Sequence, residues 1–398
     1  MIHTGRHFLQ IPGPTNVPDR VLRAMGHSVI DHRGPEFARL THEVLELLHP
    51  VFRTAGRIAI FPSSGTGACE AALVNTLSPA DRTLICETGW FSYNPWRRVA
   101  ERLGLNVEYM AGDWGRGASP ERIEARLAED SQHTIKAVVV VHNETSTGVT
   151  SRIGDIRRAM NRAAHPALLI VDTISSLGSI EVRHDEWEVD VTVTGSQKGL
   201  MLPPGLGFNA ISEKALLASR TARLPRAYWD WEEILKANQN GFFPYTPATN
   251  LVGALREALL MLQEEGLSNV FRRHERHAEA TRAAVRTWGL QVVCEEPLEY
   301  SNSLTAVFTP DGHDADRLRE TILDRFDMSL GTGLGQLSGK VFRIGHLGAF
   351  NDLMLIGTLG GVEMGLRAAG IPHRAGGVSA ALNSLEPTGR PAETSLAR

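Results

Sequence analysis

The stretch VDVTVTGSQKGLMLPPGLG, residues 189–207, decides the reading of this chain. An apolar, β-branched run ends in small polar residues. A single lysine, Lys198, follows, and then a Gly and a Pro-Pro-Gly turn. Continuous apolar runs belong to strands covered on both faces, as in a mostly parallel sheet. A lysine at the carboxyl edge of such a sheet is partly stripped of water. It loses proton affinity there and becomes a usable nucleophile.

Working outward, the same pattern recurs upstream. RIAIF (57–61), TLICE (83–87), AVVVVHN (137–143) and ALLIVD (167–172) read as further strands. Between two of them, SRIGDIRRAMNRAAH (151–165) sets Ile153, Ile156 and Met160 on one helical face. Strand–helix alternation of this kind predicts an open, doubly wound α/β domain. Near residue 250 the pattern changes. Leu251, Leu255, Leu259 and Leu262 form a helical stripe that Gly266 should end, and Ser268 is placed to cap a second long helix. LTAVFTP (304–310) and KVFRIG (340–345) read as strands flanking the helix of DADRLRETILDRF, and Asn351 as the cap of a last long helix. The expected organisation is an N-terminal arm (1–20), a large domain (21–265), a smaller α+β domain (266–372) and a mobile, Ala/Gly/Ser/Pro-rich tail (373–398).

Bulk properties exclude some functions. With 41 Lys+Arg against 45 Asp+Glu, there is no basic excess to track a nucleic-acid backbone. The three cysteines form no CxxC pair, as in a reduced cytoplasmic protein. Asp172 breaks the longest apolar run, so no membrane span is expected. His274 and His277 have a metal-like spacing but no carboxylate-rich partner motif, and are expected on a solvated Arg/His face.

Three features carry chemistry. In FPSSGTGACEAAL (61–73) a strand passes through small residues into a helix, whose free N–H groups suit an anion. Gly65 and Gly67 resemble a dinucleotide fingerprint, but Glu70 occupies the third glycine position and no Walker lysine follows, so a single phosphate suits it better. Asp172 stands at the end of a buried strand, where a carboxylate needs a cation or donors. Lys198 lies one strand further on. Each alone has a bland alternative: a tight turn, a helix cap, a surface lysine. Together, at one sheet edge, they match the needs of pyridoxal 5'-phosphate: an anion cradle, an acid for the ring nitrogen and a Schiff-base lysine.

Eight stretches then make the chain resemble the class V, fold-type I aminotransferases, near those that use glyoxylate. They are IPGPTNVP (11–18), DHRGPEF (31–37), SSGTGACEAALVNTL (63–77), VHNETSTGV (141–149), VDTISSLGS (171–179), TGSQKGLMLPPGLG (194–207), FFPYTP (242–247) and GKVFRIGHLG (339–348). The resemblance implies that Lys198 and Asp172 are catalytic. Ser64, Gly65, Thr66 and Gln197 would hold the phosphate, Thr145 would lie near the ring hydroxyl, and Phe91 would cover the ring. Trp90 and Trp96 then serve packing. Tyr245 and Thr246 would reach the phosphate of a neighbouring subunit in a homodimer with shared sites. Arg343 would pair with the substrate carboxylate, which its planar fork suits. Asn16 would line the substrate pocket or shape the N-terminal segment.

The implied reaction is transamination from a small L-amino acid, serine first, to glyoxylate, with alanine and aspartate as rival donors. A cysteine desulfurase would need a loop cysteine before Arg343, and GTGLGQLSGKVFR has none. A non-catalytic binding module would not need both Lys198 and Asp172.

Overall fold

The computed structural model describes residues 5–386. Seven strands form the main sheet, in the order Arg57–Ser63, Gly205–Ile211, Val191–Gly195, Leu168–Asp172, Ile135–Val141, Arg82–Cys86, Asn106–Met110. All are parallel except Gly205–Ile211, which runs against both neighbours. The five strands read from the sequence are all present. The two additional ones have weak signals. Asn106–Met110 is a half-buried edge strand. Gly205–Ile211 begins in glycines that read as a turn, yet at Gly207 a Cβ would come within 2.8 Å of the Ser64 carbonyl oxygen. Glycine there lets the strand run close beneath the anion loop.

Helices cover both faces of this sheet. Gly65–Thr76 is apolar and small on nearly every side, so it is buried from Ala71 onward, packed with Phe61, Trp96, Ile170 and Trp231. The other face packs two groups of side chains, one around Val138, Leu169 and Ile156, the second around Phe37, Phe52, Phe208 and Leu255.

A second sheet has the order Phe8–Gln10, Met328–Thr332, Val341–Gly345, Leu304–Phe308. Its core gathers Phe342, Ile344, Leu318, Leu359 and Trp288. The N-terminal arm supplies its edge strand, parallel to Met328–Thr332. From there the chain crosses to the lysine loop, where Thr15 donates through its N–H to the Gln197 carbonyl (3.0 Å) and through its hydroxyl to the Lys198 carbonyl (3.2 Å).

Three expectations are corrected. Ser268 caps nothing. Gly266, at φ +80°, both ends Thr249–Glu265 and starts Leu267–Trp288, leaving Ser268 in the first turn. His274 and His277 are fully buried rather than solvated. His274 joins the Val270 carbonyl (2.7 Å) and accepts from the Gly348 N–H (3.1 Å), while His277 meets Asp352 at 2.8 Å. They tie the long helix to the chain after the Arg343 strand, and burial pushes His274 down to about 3. The residues from 373 onward are not uniformly loose. Gly377–Leu385 is a helix that buries Ala381 and Leu385 beside Trp288, and the rest of the expected mobile tail, 387–398, lies outside the described residues. Asn351 does cap Asp352–Ala368, accepting from the Met354 N–H at 2.9 Å.

Candidate active site

Four strand ends converge on one cavity of about 290 Å³. Ser64, Gly65 and Thr66 enter it from the start of Gly65–Thr76. Val141, Asn143 and Thr145 come from the end of Ile135–Val141, Asp172 ends its strand, and Gln197 and Lys198 follow Val191–Gly195. This is the carboxyl edge of a parallel sheet, where open α/β folds bind ligands. Phe91, Asn94 and Arg98 form another wall, and Gly13 of the N-terminal segment closes it.

The first turn of Gly65–Thr76 carries no side-chain cap, so its N–H groups remain available. Ser64 extends the same concavity. The Gln197 Oε1 is buried without a hydrogen-bond partner. At Gly195 a Cβ would come within 2.9 Å of that oxygen and 3.2 Å of the Gly65 nitrogen. An uncapped helix start fits an anion such as a phosphate ester, and the Gln197 side chain beside it carries amide N–H donors.

Asp172 is buried and forms no ion pair among the described residues. Its Oδ1 accepts from the Ile174 N–H (2.8 Å) and its Oδ2 from the Trp96 indole N–H (2.8 Å). Burial pushes its carboxyl up to about 6 against those two donors and the attraction of Lys198. Trp96 therefore does more than the packing expected of it: it orients the acid. No sequence signal separates it from an ordinary core tryptophan.

Burial pulls Lys198 down to about 7, and the field of Arg343 adds to the effect. Its Nζ donates to the Pro12 carbonyl. Gly13 sits beside it at φ +100°, where a Cβ would fall within 2.6 Å of Lys198 Cε and Nζ. The turn Pro12–Gly13 is thus part of the lysine's environment, although nothing in the local sequence links it to a residue 186 positions away.

Arg343 is buried next to Thr145 and does not itself line this cavity. It donates through Nη1 to the Thr145 carbonyl (2.7 Å) and through Nε to the Thr332 carbonyl (2.7 Å). Burial lowers it to about 10, and Glu144 opposes that. Asn16 is used elsewhere: its amide donates to the Leu9 carbonyl at 3.0 Å, it does not line the cavity, and it shapes the N-terminal segment. Tyr245 and Thr246 also lie outside the cavity lining. Tyr245 stacks on Tyr228 with ring centroids 4.3 Å apart, and its hydroxyl is buried and unpartnered. Thr246 is exposed. Among the described residues no cluster of three or more His, Cys, Asp or Glu side chains could hold a metal, and no helix is long and apolar enough to cross a membrane.

The mostly parallel seven-strand sheet, with Asp172 and Lys198 buried at one edge, is that of a fold-type I transferase. The family model for "Aminotransferase class-V" matches residues 7–337, and the chain belongs to that family. It is 50% identical over 388 residues to a serine–glyoxylate aminotransferase of Methylorubrum extorquens, covering 96% of each chain. It is 45% identical over 380 residues to an L-aspartate–glyoxylate aminotransferase of Paracoccus denitrificans, covering 95% of this chain and 96% of that one. The crystal structure of ureidoglycine–glyoxylate aminotransferase from Bacillus subtilis superposes with a TM-score of 0.88 at 30% identity, covering 97% of this chain and 99% of that one.

Proposed function

We propose that the protein transfers the amino group of a small L-amino acid, serine first, to glyoxylate, giving hydroxypyruvate and glycine, with pyridoxal 5'-phosphate as cofactor. The observation that carries this is the meeting of Lys198, Asp172 and the uncapped start of Gly65–Thr76 in one cavity. The residues fit the group. Ser64, Gly65, Thr66 and Gln197 would hold its phosphate, Phe91 would cover its ring, and Thr145 would lie near its hydroxyl. When bound, the cofactor acts as an electron sink for the substrate's α-carbon.

The protein's own part follows from its electrostatics. Lys198, depressed to about 7, is partly neutral at physiological pH. Its amine would hold the cofactor's aldehyde group, and a neutral amine at this position could take up and return a proton at the substrate α-carbon. Asp172 would keep the ring nitrogen protonated, and the Trp96 indole N–H fixes its carboxylate. Arg343, whose two bonds to backbone carbonyls leave the rest of its fork free, would take the substrate carboxylate.

Sites shared across a homodimer are part of the proposal. The unpartnered Tyr245 hydroxyl and exposed Thr246, neither of which lines its own cavity, would complete the phosphate site of the other subunit. A cytoplasmic setting accords with three buried cysteines, all unbridged.

Aspartate is a second reading for the donor. Arg98 lines the cavity, is exposed, and has no carboxylate partner among the described residues, so it could meet a side-chain carboxylate. The test is a visible spectrum of purified protein with L-serine, L-alanine and L-aspartate offered separately, without oxo acid. The cofactor band should bleach with one donor and return on adding glyoxylate. Protein that develops no band with added pyridoxal phosphate would sink the proposal.

A further inference from the structure

Glu144 is a fully buried carboxylate with no ion-pair partner among the described residues. It does not line the cavity, although its neighbours Asn143 and Thr145 do. In an extended segment alternate side chains point to opposite sides, so Glu144 faces the back of the wall. Burying an acid is costly unless donors satisfy it, and here they come from the turn at Phe91 and from Ser146. Glu144 accepts from the Phe91 N–H through both oxygens (3.2 and 3.3 Å), from the Ser146 N–H (3.0 Å) and from the Ser146 hydroxyl (2.6 Å).

Ser146 in turn accepts from the Trp90 N–H at 2.9 Å. The two preceding N–H groups, of Thr88 and Gly89, reach the Ser92 hydroxyl at 3.2 and 3.4 Å. Every backbone donor of the turn 88–91 is thus accounted for, and the two that point Phe91 inward depend on Glu144 and Ser146. Gly89 leaves room for the acid: a Cβ there would lie 2.6 Å from Glu144 Cδ. The segment reaches the substrate side as well, because the carbonyl next to Glu144, that of Thr145, accepts from Arg343.

We propose that Glu144 is a positioning residue that aims Phe91 at the cofactor ring and, through Thr145, keeps the Arg343 carbonyl partner in register. This rests on the proposed function. The test compares Glu144→Ala with Glu144→Gln in cofactor-loaded protein by visible circular dichroism and cofactor titration, and in cofactor-free protein by amide hydrogen exchange. Glu144→Ala should flatten the visible dichroism, weaken cofactor affinity about tenfold and speed exchange at residues 88–92, in a protein with unchanged far-ultraviolet spectrum. Glu144→Gln keeps an oxygen for the Phe91 and Ser146 N–H groups and should stay within about threefold of the parent.

A Glu144→Ala protein with the parent's dichroism and exchange overturns the proposal, and so does a Gln variant as impaired as the Ala one. If Glu144→Ala does not fold, Ser146→Ala, which frees only the Trp90 N–H and one bond to Glu144, should show the same signature more weakly; its absence also overturns the proposal. Parent protein without a visible band would overturn the function, while exchange in cofactor-free protein would still read the turn.

Discussion

Lys198 and Asp172 are shifted toward each other in proton affinity by the same cause, removal from water. Each shift has a measurable consequence. An aldehyde is attacked only by a neutral amine, so on the proposed role of Lys198 the rate of cofactor uptake should rise with pH and level off above a midpoint near 7. Stopped-flow absorbance across pH 5–10 reads this; a rate still climbing at pH 9 would mean an ordinary surface-like lysine. For Asp172 the folded value, about 6, stands above the ordinary 3.8. Its stabilising contribution is therefore full below about pH 4 and is lost as pH rises through about 6. In cofactor-free protein Asp172→Asn should remove that loss, on the order of 2–3 kcal/mol between pH 4 and pH 8. Urea melts of both proteins at several pH values give the pH-dependent part of the difference. A constant difference would mean that Asp172 does not titrate in this window. The two residues were visible in the sequence because their positions at strand ends are local facts. Their partners were not: Trp96 lies 76 positions from Asp172, and Pro12 lies 186 from Lys198.

At the scale of elements, the site depends on loops that touch through glycine. The lysine loop crosses the loop after Asp172 at Gly199 and Gly178. A Cβ at Gly199 would come within 2.7 Å of the Gly178 carbonyl carbon and of the Ser179 hydroxyl oxygen. Backbone cannot move aside as a flexible side chain can, so Gly199→Ala should push the lysine loop away. Overpacking of this kind costs about 1–3 kcal/mol, and a misplacement near 1 Å costs about a hundredfold in rate. The expected outcome is a folded protein with kcat reduced at least tenfold; full activity in the variant would show that the crossing is slack. The strands and helices around this crossing were legible from apolar runs and periodicity. The antiparallel Gly205–Ile211 strand was not, since Gly205 and Gly207 are there for close approach and read as a turn when seen without neighbours.

At the scale of the whole molecule, the N-terminal segment joins the second sheet to the lysine loop, and the proposed dimer joins two cavities. Shared sites predict complementation between inactive variants. On this proposal Lys198→Ala would remove the nucleophile of its own cavity, whereas Tyr245→Ala/Thr246→Ala would impair the cavity of the partner. Mixed after dissociation and reassociation, they should recover roughly one quarter of parental activity, because random pairing leaves one intact site in half of the dimers. Activity no higher than the sum of the separate variants would argue for self-contained sites.

The sequence by itself determined the mostly parallel α/β core, the helix cap at Asn351, the strand-to-helix turn at 64–66 and the positions of Asp172 and Lys198 at one sheet edge. All of these rest on local periodicity, turn chemistry or strand-end position, which a linear string preserves. Tertiary structure decided the rest. It buried His274 and His277 against the chain at 348–352, used the Asn16 amide to shape the N-terminal segment, and turned Trp96 into the partner of Asp172. It packed the helix Gly377–Leu385 beside Trp288, where composition suggested a loose end. Each of these depends on which distant group supplies a donor, an acceptor or an apolar surface. That is settled only when the chain is closed on itself and water is excluded.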